Sequence, residues 1–296
     1  MSTETKKLIR FDWAMKTLLR DKANFDILEG FLSAVLQKEV SIVEILESES
    51  NVPEIEQKVN RVDILVQDQQ KRYVIIEVQN YHVTAYLERI LFGVSKVIVE
   101  NVKSGKDYRE ISKVVSISIL YSNFGLGEDY VFYGNTEFRG IHDNEPLIFR
   151  RQRADKTFEK LKSQEIFPEY YLINVERFAD DKMKTDLDEW IYLFKHAALP
   201  EHCHAKNLPL AGEKLDVLKM SSEERRHYEQ YLMALVNEQD AIETALNKGL
   251  QRGREEGLEK GREEERKEIA KKMLEAGMDI ETIATMTDLN PSEITR

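Results

Sequence analysis

The stretch from Arg61 to Asn80, RVDILVQDQQKRYVIIEVQN, decides how this chain is read. Two apolar runs flank a polar DQQK, the pattern of a β-hairpin. Inside the runs sit Asp63, Glu77 and Gln79, two carboxylates and an amide in strands that otherwise favour burial. Side chains alternate along a strand, so Glu77 and Gln79 share one face while Ile76 and Val78 take the other. If Asp68 opposes Arg72 around a three-residue loop, Asp63 falls opposite Glu77; a two-residue loop makes them diagonal neighbours. In either register their Cβ atoms lie about 4.5–8 Å apart.

Like charges held that close repel and lose hydration unless a proton or a cation is shared between them. Mg²⁺ suits such a pair: a hard ion, usually held by one or two carboxylates, that keeps several waters and meets phosphate oxygens. A polarised phosphate and an activated water are what metal-assisted phosphodiester cleavage requires. The competing reading is an exposed hairpin face, with Asp63 and Glu77 paired to Arg61, Lys71 or Arg72.

Outward from the hairpin the periods alternate between helix and strand. Residues 11–36 place Trp13, Leu18, Ile27, Phe31, Ala34 and Val35 at helical intervals, which predicts two helices broken near Asp21–Asn24, with Asn24 or Asp26 capping the second. SIVEILESES (41–50) predicts a strand, TAYLERILFGVSKVIVENV (84–102) a long amphipathic helix, and EISKVVSISILYSNF (110–124) a further strand. DYVFYGNTEFRGI and EYYLINVERF read as strands and TDLDEWIYLFKHAAL as a helix. This interleaving points to an α/β core.

Composition narrows the class. With 296 residues, 42% of them hydrophobic, the chain can bury a sizeable core, and one cysteine, Cys203, excludes an internal disulfide framework. No apolar run reaches transmembrane length and the N-terminus lacks a signal-peptide core, so the expectation is a cytoplasmic protein without a membrane span. A net charge of −11 disfavours a surface coated in nucleic acid but permits a local basic groove. FRRQRADKTFEKLK offers one, with Arg150, Arg151 and Arg153 as DNA contacts; the plainer reading is a solvated surface. His196, His202, Cys203 and His204 lie too close in sequence to converge easily on zinc, and no second pair stands at finger spacing.

Beyond about residue 215 the chain turns helical and charged, with Ser221 or Ser222 as a cap. Gly249, Gly253, Gly257 and Gly261 then recur every fourth residue in GLQRGREEGLEKGREEE. Each glycine inside a helix costs about 1 kcal/mol relative to alanine, which predicts a flexible or loosely helical linker, or a homodimer contact along the glycine stripe. The last stretch carries helix punctuation: Gly277 to end one helix, Asp279 to cap the next, and Asn290-Pro291 with Glu293 to start a third. Ile283 and Met286 are expected to face Ile269, Met273 and Leu274 in a small helical hairpin similar to helix-turn-helix units.

The spacing of Asp63 and the Glu77-x-Gln79 segment resembles the PD-(D/E)XK nuclease superfamily, with Gln where Lys is usual. In order, FDWAMKTLL, ILEGFLSAVL, RVDILV, IIEVQ, YLERILFGVSKVI, SGKDY and VVSISIL resemble the recombination-promoting nuclease (Rpn) family over roughly residues 8–125. The resemblance implies a restriction-endonuclease-like α/β core, a central mixed sheet flanked by helices, followed by a helical C-terminal tail. It implies a Mg²⁺-dependent DNA endonuclease, Mn²⁺ substituting, connected to recombination or mobile elements. Asp63 and Glu77 then match the metal-binding carboxylates and Gln79 the last motif position, where an amide can only hydrogen-bond. The helix-borne acid is assigned to Asp12, with Glu29, Glu47 and Glu49 as alternatives, and Arg89 matches a basic position that contacts phosphate or pairs with Glu88 or Glu100. The expected divisions are a nuclease-like domain over 1–215, a helical connector over 216–248, a Gly-repeat segment over 249–268 and a helical hairpin over 269–296. DNA is the expected partner, with self-association through the nuclease domain or the Gly-repeat tail. The alternative is a catalytically degenerate protein that binds DNA or other proteins through its tail.

Overall fold

The computed structural model describes residues 8–17, 19, 21–46, 63–81, 84–101, 108–122, 124–125, 127–153 and 155–294. Eight strands are present among them: β1 (Ile42–Leu46), β2 (Ile64–Asp68), β3 (Tyr73–Gln79), β4 (Val114–Leu120), β5 (Val131–Gly134), β6 (Phe149–Gln152), β7 (Phe158–Leu161) and β8 (Glu169–Asn174). Six form one mixed sheet in the order β1-β2-β3-β4-β8-β5, while β6 and β7 make a separate hairpin. The β3–β4–β8 pairs are parallel and all others antiparallel.

The β2–β3 turn selects the three-residue loop. Lys71 adopts a left-handed conformation (φ 61°), and the Asp68 amide donates to the Arg72 carbonyl across the turn (3.1 Å). Asp68 Oδ1 accepts the amides of Gln70 and Arg72, both at 2.9 Å, and Oδ2 accepts Arg72 Nε at 2.7 Å. Arg72 therefore pairs with Asp68 and not with the carboxylates at the far end of the hairpin. The ladder runs Gln67↔Tyr73, Val66↔Val74, Leu65↔Ile75 and Ile64↔Ile76.

Alternation then sorts the sheet into two covered faces. Helix α1 spans Phe11–Thr17, α2 Phe25–Leu36 and α3 Tyr86–Asn101. On α3, Tyr86, Ile90, Val94 and Val97 recur at helical spacing and pack on Leu65, Ile75, Val114 and Leu120 of the sheet. Each of the aliphatic ones gains about 1.5–3 kcal/mol by full burial. The opposite alternation, Val66, Val74, Ile76, Ile117 and Ile119, is fully buried too. Helix α4 (Asp186–His196) starts on a capping box between Thr185 and Asp188, and with α1 and α2 it builds an aromatic cluster. Phe11 stacks on Phe194 at 4.0 Å between centroids, with Phe31 and Trp190 set edgewise around them. The break between α1 and α2 lies where expected: Asn24 is the N-cap residue of α2, without a side-chain cap bond, while Asp21 caps the 3-10 turn Lys22–Asn24 by accepting the Ala23 amide and Asp26 accepts the Ile27 amide.

Two elements escape the sequence reading. One is the β6–β7 hairpin, built from the basic FRRQ and FEKL segments. The other is α5 (Leu208–Lys214), which packs on α2 at Gly30, where any Cβ would stand 2.4 Å from the Lys206 carbonyl oxygen.

The chain divides into two compact units, residues 1–225 and 226–296. Helix α6 (Ser222–Glu275) begins on a reciprocal Ser221–Glu224 cap and runs unbroken through the Gly repeat. The segment expected to be a flexible or loosely helical linker is helical, and among the described residues nothing outside the adjoining helix backbone lies within 4 Å of where a Cβ would stand on any of its four repeat glycines. Elongation of an established helix needs no new nucleus, the glycines alternate with strong helix formers, and the i,i+4 ion pairs Glu263–Lys267 and Glu268–Lys272 follow the repeat. In the second unit α7 (Ile280–Thr287) is capped by Asp279 and α8 (Pro291–Ile294) follows the expected Asn290–Glu293 cap. Ala270, Ile283, Leu289 and Ile294 form its core, with Met273 packed against it. Met286, Ile269 and Leu274 are exposed, so the buried face differs from the expected one.

Asp68→Ala would leave the Arg72 guanidinium buried without its counter-charge and strip the turn of two amide acceptors. The expected loss is roughly 3–5 kcal/mol in chemical unfolding, with part of it recovered when Arg72→Met is added. An unfolding midpoint unchanged by Asp68→Ala would show that the turn is not held this way.

Candidate active site

The register that Asp68 fixes places positions 63 and 77 opposite one another, one step beyond the Ile64↔Ile76 pair. This is a non-hydrogen-bonded position, where facing side chains approach most closely. β2 stops at Ile64, and the Val78 amide is taken by the Asp63 carboxylate, Oδ2 at 2.7 Å. One Asp63 oxygen is thereby oriented by the β3 backbone.

Glu77 follows in the middle of the sheet, almost fully buried, with Ser118 opposite it on β4. Tyr86 and Arg89 come from the first turn of α3, which lies over the same face. Burial pushes the Glu77 carboxyl from its ordinary 4.5 up to about 7; Arg89 opposes the rise and Asp63 adds to it. Burial also raises the Tyr86 phenol, with Ser118 pulling the other way and the charge of Glu77 reinforcing the rise. The hydroxyls of Tyr86 and Ser118 are buried near one another, and neither makes a hydrogen bond of good geometry among the described residues. Gln79 lies two positions further on the Glu77 face, its carbonyl accepting the Tyr121 amide at 2.9 Å. The group thus gathers at the carboxyl ends of the parallel strands β3 and β4, the edge at which α/β sheets commonly bind ligands.

Asp12 occupies a different setting. It is fully buried, and Arg10 Nη2 grips its carboxylate at 2.9 Å while the Trp13 amide donates at 2.8 Å. Arg10 also reaches the Asn80 side chain (3.3 Å) and lies 5.0 Å over the Tyr121 ring, which ties α1 to the end of β3. Among the described residues no three His, Cys, Asp or Glu side chains converge to hold a metal. Glu29 instead accepts the Ile42 amide (2.8 Å), and Glu47, Glu49 and Arg61 lie outside the described residues. His196 meets Asp180 and His204 meets Glu189, with no zinc cluster among the described residues.

The three arginines of the β6–β7 hairpin are separated by its register. Arg151 and Arg153 both pair with Glu159, whereas Arg150 stands across from Lys160 on the other face. Sequence reasoning overlooked Tyr86, Ser118, Arg10 and Asn80. Ser116 and Ser118, two hydroxyls on one face of the otherwise apolar VVSISIL, were the available signal for Ser118.

A buried carboxylate, a second one beside it and two buried hydroxyls without good partners suit a hard divalent ion that keeps part of its water shell. The same burial has a stability consequence. Because the folded-state value for Glu77 lies above 4.5, its penalty is absent below about pH 4.5 and grows until the pH passes about 7. Above that it amounts to roughly 3 kcal/mol. Glu77→Gln is therefore expected to be more stable than the wild type at pH 8 and indistinguishable from it at pH 4.5. Urea unfolding of both proteins at both pH values measures this, and equal stability at pH 8 would refute the assignment.

Comparison with known proteins agrees with this geometry. Residues 9–144, which contain the hairpin, α3 and β4, match the model of the PD-(D/E)XK nuclease family transposase. Residues 263–296 match the C-terminal helix-turn-helix domain of the Rpn/YhgA-like nuclease family. No curated protein and no solved structure matches the chain. Among the described residues no helix is long and apolar enough to cross a membrane. The two matches fall in the expected order, a nuclease-family region with a helix-turn-helix region behind it, and both support the resemblance to the Rpn/YhgA-like PD-(D/E)XK nucleases.

Proposed function

We propose that the protein is a Mg²⁺-dependent DNA endonuclease, with Asp63 and Glu77 as its metal-binding carboxylates. The observation that carries this reading is the buried Glu77 carboxyl, raised to about 7 and set beside Asp63 at the strand ends. A divalent cation bound by this pair would polarise a phosphodiester and supply an activated water. The chain's own groups do the rest. Val78 holds Asp63 in orientation through its amide. Arg89, close enough to oppose the rise at Glu77, offers positive charge to a phosphate. Gln79 can orient water by hydrogen bonding but cannot act as a base or carry charge. On the hairpin, Arg150 and Lys160 face the same side as like charges and gain from a DNA phosphate, while Arg151 and Arg153 share the single carboxylate of Glu159. The helix-turn-helix unit supplies a second DNA contact, consistent with a role in recombination or element mobility.

Gln79 in the usual Lys position, together with the hold of Arg10 on Asp12, favours a second reading in which the site is degenerate and the protein acts by binding DNA. Cleavage of plasmid and linear DNA by the full chain, with Mg²⁺, Mn²⁺ or EDTA, separates the two. The expected result is metal-dependent cutting that falls about a thousandfold or more in Asp63→Ala, the scale of several kcal/mol of lost charge stabilisation, with the fold intact. Wild-type protein that binds DNA and cuts it with neither metal would establish the degenerate reading.

A further inference from the structure

At the end of β3 away from Glu77, the hairpin turn borders a cavity that the carboxylate site does not use. Lys38, Lys71, Arg72, Arg109 and Lys113 line it, against one acid, Glu165. Glu165 is already occupied as an acceptor of the Lys162 amide at 2.9 Å. Arg72 and Lys113 have anionic partners in Asp68 and Glu169. Counting those acids as well, the described side chains that line the cavity carry more positive than negative charge, in a chain whose net charge is −11. The C-terminus of α3 borders the same cavity at Asn101, and its partial negative charge, about half a unit, does not cancel the excess.

Cations crowded this way repel, and the strain is visible at Lys38. Burial, with Arg72 and Lys113 nearby, holds its amine below the usual range in spite of Glu169 and Asp68. Arg72 is 7% exposed and commits Nε to Asp68. Its Nη2 is buried against the same carboxylate but makes no hydrogen bond of good geometry among the described residues. Arg72 is thus held in place by Asp68, and the ammonium groups of Lys38 and Lys71 beside it match the several oxygens of a phosphate better than a monovalent, single-acceptor anion.

We propose that this cavity binds a phosphate group, carried by a nucleic-acid strand or by a free nucleotide. The site is separate from the carboxylates. Arg72 and Glu77 are five residues apart on one strand, which is about 16 Å. On a nucleic acid that distance corresponds to about five nucleotides from a bond held at Asp63 and Glu77.

The test uses the full chain carrying Lys38→Gln and Lys71→Gln together, both exposed and outside the turn's hydrogen bonds made by side chains. Calorimetric titration with inorganic phosphate and dAMP is run against chloride of matched ionic strength. Fluorescence anisotropy follows an oligonucleotide with and without a 5′-phosphate. Wild type is expected to bind phosphate beyond the chloride control, with affinity lowered about tenfold or more in the double variant and unchanged in Asp63→Ala. A preference for the phosphorylated oligonucleotide that the double variant abolishes assigns the group to a strand end. Equal weakening of both oligonucleotides assigns it to the backbone, and binding of dAMP alone to a free nucleotide; each of these sustains the site. Identical phosphate affinity in wild type and double variant, with both folded by thermal melting, overturns it, as does binding no stronger than chloride.

Discussion

The Asp68 carboxylate fixes what the rest of the site depends on. By holding two turn amides and the Arg72 guanidinium, it selects one hairpin register among those the strand pattern permits. A slip of one residue would send every side chain of a strand to the opposite face. Asp63 would then leave the α3 side of the sheet, and Glu77 would sit beneath α3 without the carboxylate that shares its site. Chemistry at one end of β3 is therefore set by an ion pair at the other. The left-handed Lys71 is the local strain accepted for that choice.

Glu77 shows why such a register must be held firmly. Its neighbours on the same face are largely apolar, and α3 closes over them. A carboxylate there is penalised whenever it ionises, and Arg89 offsets only part of that. Ser118 and Tyr86 bring hydroxyls into the same region without completing a hydrogen-bond network. A core selected for stability alone would place an aliphatic residue at position 77. Partly satisfied polar groups of this kind, concentrated at strand ends, are where local rules yield to chemistry.

Much of this was legible because strand alternation is a strict geometric rule. The hairpin, the shared face of Glu77 and Gln79, and the amphipathic α3 all follow from spacing, whereas the choice between a two- and a three-residue loop is made by the turn itself. The β6–β7 hairpin did not, because Arg150, Arg151 and Arg153 dominate its sequence and it buries little to leave an alternating apolar signal. Helix α5 is seven residues long, too short for periodicity to separate it from a loop, and it is placed by packing on Gly30. Asp12 was assigned by its helix, and the fold adds that Arg10 grips its carboxylate while also reaching Asn80 at the end of β3. In the second unit the caps at Asp279 and Asn290 were readable since they depend on neighbours three residues away. The buried face was not, because Ile283 and Met286 differ by less than one turn and only the packing of Ala270 selects between them.

The glycine repeat gives the clearest case of propensity losing to context. Four helix-interior glycines weaken any isolated segment, yet α6 passes through them without a break. The residues between them are mostly Glu, Arg, Lys and Leu, and the helix is already nucleated at the Ser221–Glu224 cap. What the glycines change is the surface: no atom approaches the space their side chains would occupy, which leaves a strip of bare backbone between charged rows. Removing side chains from every fourth position lowers local stability without interrupting the helix. The helix remains a continuous element leading into the helix-turn-helix unit, but its middle is the part whose hydrogen bonds are least protected by side chains. Local opening of α6 is therefore favoured at the glycines over the capped end near Ser221.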